Sequence, residues 1–269
     1  MLMLSARSDG AKAMNFGRAF DGVADLYADV RPGYLPALFD DLVAMGALGP
    51  SKAVLEVGCG AGQATEDLAR RSGRVVAIDP GERLISNARR GVSAENVSFI
   101  VSTFEDLDAT PASFDLIASA QAWHWVDPEV GFTKAASMLR PDGCLAIFGH
   151  VPMMVPEALQ PAFRTAFETY WPGAWGQPPP QSWYLPQGPV SSLVAASRQF
   201  QPAGHRGYSW TWTFDPDLFG RYLRTDSSYH VLAEAPRFAL FDALSAAIAD
   251  QGGTYDSAWE THLYLARKA

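Results

Sequence analysis

The chain has 269 residues, of which 48% are hydrophobic and 19% charged, a composition that excludes extensive disorder and supplies a large core. The formal net charge of −8 argues against nucleic acid and against an anionic membrane surface as partners, because both are bound through Lys and Arg. The two cysteines, Cys59 and Cys144, form no C-x-x-C pair, so we predict neither a disulfide framework nor a metal site.

The chain shows no signal for membrane insertion. No apolar run reaches the length of a membrane span, and the apolar residues 1–4 are too few for the core of a signal peptide. We therefore expect a cytoplasmic protein without a membrane segment. Residues 1–15 lack periodicity and are predicted to form a flexible tail.

Helical and strand patterns alternate from residue 16 to residue 150. A helical face is predicted over 16–28, a break at 31–34, and a second helix over 35–45. Short apolar runs typical of buried parallel strands follow at 53–57, 74–78, 97–101, 114–118 and 144–148. Helices are predicted between them at 63–71, 82–90 and 129–139, and the last ends at a turn, 140–143. This alternation predicts an α/β fold with a doubly wound, mostly parallel sheet.

The composition changes after residue 150. Residues 151–205 hold ten of the nineteen prolines, and five of the eight tryptophans lie between Trp171 and Trp212. We predict a helical and irregular insert over 151–205, after the fifth strand. Residues 206–269 are expected to complete the sheet and pocket with a strand at 208–214, helices at 216–223 and 236–249, and an antiparallel strand at 255–266.

A glycine-rich loop, E-V-G-C-G-A-G at 56–62, follows the first predicted strand. Glycines at this point let the backbone turn tightly and approach a ligand closely. The spacing departs from the dinucleotide fingerprint G-x-G-x-x-G because Gln63 occupies the sixth position, and the Gly-Lys-Ser/Thr ending of a phosphate loop is absent. The loop therefore favours a ligand with a ribose and an amino-acid end but without phosphate.

An acidic residue, Asp79, ends the next predicted strand, twenty-one residues after Gly58. An acid in this position can accept hydrogen bonds from the hydroxyl groups of a ribose. The alternative is an acidic cap of the following helix. The glycine loop in register with it favours the ribose role.

These motifs resemble those of class I S-adenosylmethionine-dependent methyltransferases. The loop at 56–62 and V-V-A-I-D-P at 75–80 are similar to that family's first two motifs, and L-R-P-D-G at 139–143 is similar to its L-x-P-G-G turn. Two further stretches, S-A-Q-A-W-H-W at 119–125 and Y-x-x-x-R-P-x-Y at 27–34, resemble the small-molecule subgroup that contains trans-aconitate methyltransferases. The resemblance implies a seven-stranded Rossmann-like sheet, S-adenosyl-L-methionine as cofactor and a small-molecule methyl acceptor.

The resemblance also assigns roles to positions at the ends of the first two strands. It implies that Gly58 and Gly60 lie against the methionine part of the cofactor and that Glu56 orients its amino group. Asp79 is expected to hold the ribose, with Pro80 beside the adenine.

Three further positions follow the third and fourth strands. Thr103 and Phe104 occupy the place where the family contacts the adenine edge, although the family often has an acid-alanine pair there. Gln121 ends the fourth strand, where backbone carbonyls of the family face the cofactor.

The N-terminal helix is expected to cover the cofactor. In that arrangement Tyr27 and Arg31 bind it, and Arg31 pairs with its carboxylate through charge-assisted hydrogen bonds. The alternative is an arginine that only satisfies the carboxyl end of its own helix.

The acceptor pocket is predicted from aromatic and polar residues farther along the chain. Trp123, His124 and Trp125 follow the fourth strand, and Arg224 and Tyr229 lie in a polar stretch near the end. His124 is a candidate general base, because histidine titrates near neutral pH, and the alternative is a histidine ordered by packing between the tryptophans. Arg224 is either an anchor for a substrate carboxylate or a helix cap.

The function predicted from the sequence is methyl transfer to a small molecule, with an oxygen acceptor and a carboxylate as the specific hypothesis. One alternative is an NAD(P)-dependent oxidoreductase, against which the missing third glycine and the absence of a Tyr-x-x-x-Lys pair both argue. Another is a non-catalytic cofactor-binding protein. The sequence leaves the acceptor and the oligomeric state open.

Overall fold

The computed structural model describes residues 21–153, 155–178 and 180–269. Within these residues one sheet contains β1 (Ala53–Val57), β2 (Arg74–Asp79), β3 (Val97–Val101), β4 (Phe114–Ala120), β5 (Leu139–Pro152), β6 (Phe200–Phe214) and β7 (Tyr255–Lys268). The strand order is β3-β2-β1-β4-β5-β7-β6, and β7 runs antiparallel to both β5 and β6. This confirms the doubly wound α/β fold and the antiparallel last strand. The predicted tail, 1–15, and the start of the first predicted helix lie outside the described residues.

Nine α-helices lie among the described residues, and two of them begin at an aspartate cap. They are α1 (Ala24–Val30), α2 (Pro36–Ala44), α3 (Thr65–Arg70), α4 (Glu82–Gly91), α5 (Pro128–Met138), α6 (Gln160–Tyr170), α7 (Pro189–Ser197), α8 (Pro216–Arg224) and α9 (Glu234–Asp250). Asp127 and Asp215 cap α5 and α8, each through a side-chain oxygen that accepts a backbone N–H, and a proline follows each cap. Proline suits a first helical position because its missing N–H has no partner there.

The central strands are buried on both faces, which explains why they read as continuous apolar runs. All five residues of β1 are buried. Leu55 packs into a core with α5 and the segment 180–194, whereas Val54 packs into the opposite core with α2 and α3. A third apolar cluster joins α6, α8 and α9 to the first half of β7.

The turn predicted at 140–143 lies inside a strand rather than before one. Phe114 pairs with Leu139 and Leu116 pairs with Cys144, so the four residues between Leu139 and Cys144 form a bulge in β5. Asp142 adopts a left-handed conformation with φ 62°, as the turn sequence favours. The turn chemistry is present, but Leu139 keeps its pairing, and β5 therefore begins five residues earlier than predicted.

The insert is shorter than predicted. Its bounds at 151 and 205 fall within strands, because β7 is long enough to pair with β5 as far as Pro152 and with β6 from Phe200 onwards. The segment between the two strands is thus 153–199, and it contains α6, α7 and a 3₁₀ turn (Pro180–Tyr184). The beginning of β6 was not predicted because the prolines of this stretch, including Pro202, argued against a strand there. The strand continues through Pro202 with an irregular register.

Two absences apply to the residues that the structure describes. None of their helices is both long and apolar enough to cross a membrane. Over the same ranges, no group of three or more His, Cys, Asp or Glu side chains could hold a metal ion.

Candidate active site

The glycine loop after β1 forms the floor of a pocket at the carboxyl ends of the parallel strands. Gly58 and Gly60 have φ angles of 71° and 56°, in the left-handed region that favours glycine. A Cβ atom on Gly58 would lie 2.2 Å from the Cβ atom of Ala122, which follows β4. The methyl group of Ala122 therefore leaves no room for a side chain on Gly58.

Asp79, at the end of β2, orients this loop. One carboxylate oxygen accepts the N–H of Gly60 at 3.0 Å, and the other accepts the N–H of Gly81 at 2.8 Å. Burial raises the pKa of Asp79 to about 6, against the lowering effect of these two hydrogen bonds. Because Gly81 precedes α4, Asp79 supports both the glycine loop and the start of that helix.

Glu56, inside β1, is fully buried. Its Oε2 atom accepts the hydroxyl of Thr65 at 2.7 Å, and its Oε1 atom has no hydrogen-bond partner among the described residues. Burial raises the pKa of Glu56 to about 7. Glu56 is not among the residues that line the pocket, and its unpaired, buried oxygen is costly unless a cation or a donor reaches it.

The end of α1 and the break after it cover the pocket. The guanidinium of Arg31 donates from Nε to the hydroxyl of Thr225 at 2.9 Å and from Nη2 to the carbonyl of Thr225 at 2.7 Å. Its Cζ atom lies 4.5 Å from the ring centre of Tyr222 and 5.3 Å from that of Tyr27. Arg31 is thus held by the end of α8 and not only by its own helix.

The pocket is narrow, with a cavity volume of about 40 Å³. It joins the glycine loop, the cover and the ends of β4, β5 and β7. Its lining residues are Tyr27, Arg31, Pro32, Tyr34, Gly58, Cys59, Gly60, Gln63, Ala64, Ala120, Gln121, His150, Gln181, Tyr222 and Trp259.

Gln121 lines this pocket at the point where β4 ends. Its φ angle of 57° is left-handed, which is uncommon for a residue other than glycine. Its side-chain oxygen accepts the backbone N–H of His150 at 2.7 Å, so Gln121 ties the end of β4 to the end of β5. The side chain is therefore engaged in a strand contact beside the pocket.

The predicted adenine side lies next to the pocket but outside its lining. Phe104 is buried, and its ring centre is 5.5 Å from that of Trp123. The Thr103 hydroxyl donates to a carboxylate oxygen of Asp106 at 2.8 Å. Pro80 is half-buried beside Asp79.

The aromatic stretch after β4 contributes mostly to the core. Trp123 is buried between Phe104 and Phe132, so it packs in the core and does not line the pocket. Nδ1 of His124 lies 3.0 Å from the hydroxyl oxygen of the buried Tyr184. Burial lowers the pKa of His124 to about 4, so this ring is neutral at physiological pH. Its geometry supports the packing interpretation.

Trp125 and the two polar residues from the end of the chain also lie outside the pocket lining. The ring of Trp125 packs against His124, with ring centres 4.7 Å apart. Arg224 is exposed and lies 5.9 Å from the ring centre of Phe238. The ring of Tyr229 packs in an aromatic cluster of the third core.

Ten of the residues that line the pocket were not predicted as site residues from the sequence. Five of them, Pro32, Cys59, Gln63, Ala64 and Ala120, lie close to predicted positions in the chain, and the other five are Tyr34, His150, Gln181, Tyr222 and Trp259. His150 could have been identified from its position, because it lies at the carboxyl end of β5. The remaining four reach the pocket from the break after α1, the insert, α8 and β7, and no local pattern reveals those tertiary contacts. Trp259 has a buried indole N–H without a hydrogen-bond partner among the described residues.

This arrangement is similar to that of known proteins. Residues 55–147 match the family model described as "Methyltransferase domain". The probable S-adenosylmethionine-dependent methyltransferase CRG1 of Saccharomyces cerevisiae is 30% identical over 156 residues, which are 56% of this chain and 52% of that protein. A ubiquinone biosynthesis O-methyltransferase of Xanthomonas campestris is 38% identical over 114 residues, 41% of this chain and 47% of that protein.

The chain spans about half the length of the curated relatives it matches. One solved structure covers more. It is described as a putative type II methyltransferase from Anaeromyxobacter dehalogenans, is 25% identical, and superimposes with a TM-score of 0.62 over 88% of this chain and 97% of that one. The likeness therefore extends beyond residues 55–147 into the insert and the last strands.

Proposed function

We propose that this chain, which belongs to the class I S-adenosylmethionine-dependent methyltransferases, transfers a methyl group from that cofactor to an oxygen of a small-molecule acceptor. The observation that carries the proposal is the pocket between the glycine loop and the end of α1. It is lined by residues from seven separate stretches of the chain, and it lies where open α/β sheets bind their ligands.

The residues present fit S-adenosylmethionine. The unpaired oxygen of Glu56 suits an ammonium group, and the guanidinium of Arg31 suits a carboxylate. The oxygens of Asp79 each retain a lone pair that can accept a ribose hydroxyl, because each holds one backbone N–H. These three side chains are proposed to hold the cofactor, with Gly58 and Gly60 leaving room for its methionine part.

Other cofactor contacts remain proposals from the resemblance. Pro80, Thr103 and Phe104 are proposed to form the adenine side, and Tyr27 and Gln121 to flank the methionine end. When bound, S-adenosylmethionine supplies an electrophilic methyl carbon on a sulfonium sulfur. The protein's contribution is then to hold the acceptor oxygen in line with that carbon and to exclude water.

A carboxylate is the acceptor that the pocket's titratable groups favour. Burial raises the pKa values of Tyr27, Tyr34 and Tyr222. Both ring nitrogens of His150 are engaged by protein oxygens. None of these groups is placed to remove a proton from a hydroxyl at neutral pH, whereas a carboxylate is already ionised and needs no base. The O-methyltransferases among the relatives support an oxygen acceptor.

Calorimetric titration tests the cofactor before an acceptor is known. We expect S-adenosylhomocysteine to bind and NADH and NADPH not to bind. Asp79→Asn is expected to weaken that binding at least about tenfold through the lost acceptor, whereas the exposed Asp40→Asn on α2 leaves it unchanged. Preference for a nicotinamide would replace this function with that of an oxidoreductase.

Turnover then separates an enzyme from a cofactor-binding protein. The assay follows formation of S-adenosylhomocysteine when S-adenosylmethionine is mixed with a panel of small carboxylic acids and, separately, with phenols. Product with the acids supports the carboxylate proposal. Product only with phenols contradicts it and requires a base, and binding without product from any class of acceptor favours the non-catalytic alternative.

A further inference from the structure

His150, at the carboxyl end of β5, is the centre of a hydrogen-bonded chain beside the pocket. Its Nδ1 atom lies 2.7 Å from the hydroxyl oxygen of Thr261 on β7, and its Nε2 atom lies 3.2 Å from the carbonyl oxygen of Gly33. The indole of Trp210 on β6 donates to the same hydroxyl oxygen at 3.0 Å. His150 and Thr261 are both buried.

The direction of each hydrogen bond follows from the chemistry of the partners. An indole N–H only donates, and a carbonyl oxygen only accepts. The carbonyl of Gly33 therefore requires a proton on Nε2, and a neutral His150 then has an unprotonated Nδ1 that accepts the hydroxyl of Thr261. Burial lowers the pKa of His150 to about 3, which keeps the ring neutral. This series of hydrogen bonds thus fixes one tautomer of His150.

The carbonyl of Gly33, at the end of this series of hydrogen bonds, belongs to the segment 31–34. This segment follows α1, leads into α2 and covers the pocket. Arg31, at one end of the segment, is fastened to Thr225. At the other end, the ring of Tyr34 stacks on the ring of His150, with centres 4.2 Å apart and an angle of 17° between the planes. Arg31, Tyr34 and His150 all line the pocket.

We propose that His150 is a positioning residue, whose Nε2–H and ring face hold the segment 31–34 in its closed position over the pocket. The hydrogen bond to Gly33 and the stacking on Tyr34 keep Arg31 where it can reach a bound carboxylate. Trp210 and Thr261 hold the ring in the tautomer that can donate to Gly33. The choice of S-adenosylhomocysteine as the ligand that tests this positioning role rests on the proposed function.

Two substitutions separate the hydrogen bond from the stacking. His150→Phe keeps an aromatic ring against Tyr34 but loses the donor to Gly33. His150→Gln keeps an N–H donor but loses the ring. We expect His150→Phe to bind S-adenosylhomocysteine about tenfold more weakly, the size of one neutral hydrogen bond, and His150→Gln to recover part of this loss.

A second measurement reads the segment without any ligand. Amide hydrogen exchange of residues 33–35 in the free protein is expected to become faster in His150→Phe, while exchange within β1 and β4 stays unchanged. Thr261→Val removes the donor that fixes the tautomer and leaves His150 in place, so it should show a smaller effect of the same kind. If His150→Phe does not fold, Thr261→Val tests the proposal in its place.

The matched control is His262→Phe on β7. His262 is equally buried and hydrogen-bonded, to Glu260 and His205, and has no contact with segment 31–34 among those described. We expect wild-type affinity and wild-type exchange at 33–35. The proposal is overturned if His150→Phe and Thr261→Val keep wild-type affinity for S-adenosylhomocysteine and wild-type exchange at 33–35. It is also overturned if His262→Phe changes both of these quantities. If the wild type does not bind S-adenosylhomocysteine, the proposed function fails while the exchange experiment still tests the positioning role.

Discussion

Replacing Glu56 with glutamine is expected to stabilise the ligand-free protein at high pH and to weaken cofactor binding. Burial raises the pKa of this carboxyl to about 7, above the 4.5 expected of an exposed glutamate. The folded state therefore binds a proton that the unfolded state releases between these two pH values. The carboxyl's contribution to stability is complete below about pH 4.5 and is lost as the pH rises through about 7.

The size of the effect follows from the same pKa. Moving a pKa from 4.5 to about 7 corresponds to about 3 kcal/mol of unfolding free energy. Glutamine does not titrate, and its amide oxygen can still accept the hydroxyl of Thr65. The difference in unfolding free energy between Glu56→Gln and the wild type should therefore increase by about 2.5 kcal/mol between pH 5 and pH 8.

Urea denaturation at several pH values measures this difference, and calorimetry with S-adenosylhomocysteine measures the cost in binding. The control is Glu66→Gln on α3, where hydrogen bonds from Ser93 hold the pKa of a half-buried glutamate below its ordinary value. The stability of that variant relative to the wild type should fall as the pH rises towards about 4.5 and should stay constant between pH 5 and pH 8. A difference between Glu56→Gln and the wild type that is independent of pH would refute the reasoning, because the carboxyl would then not be buried and unpaired.

Two further substitutions test the geometry of the site. Gly58→Ala should lower the unfolding free energy, measured in urea, by more than Gly46→Ala does. Both glycines have left-handed φ angles, but only a Cβ atom on Gly58 meets Ala122. Equal losses of about 1–2 kcal/mol would contradict the close approach. His124→Ala should lower the melting temperature through the lost contact with Tyr184 while turnover falls less than about tenfold; a loss of 100-fold or more with unchanged S-adenosylhomocysteine affinity would restore the general-base role.

The sequence predicts the elements better than it predicts the pocket, for a physical reason. Buried parallel strands and the glycine loop are local patterns, so β1 and the loop at 56–62 are found from a few neighbouring residues. The pocket depends on contacts between distant segments, such as Arg31 with Thr225 and His150 with Thr261. Trp123 shows the opposite error, because an aromatic residue near the strand end fits a pocket and a core equally well in sequence.

Several features of the site lower stability while the pocket is without ligand. Glu56 has a buried oxygen and Trp259 a buried N–H that find no partner in the described part of the chain, and Gln121 has a left-handed backbone. Two of these are polar groups of opposite kind, an acceptor and a donor, at or beside one pocket. A ligand that carries both an ammonium group and an oxygen acceptor would satisfy both, and binding it would stabilise the fold by mass action. Thermal stabilisation should therefore be larger with S-adenosylhomocysteine than with adenosine, which lacks the amino-acid end. Equal stabilisation at matched saturation would mean that the unpaired groups of Glu56 and Trp259 do not serve this ligand.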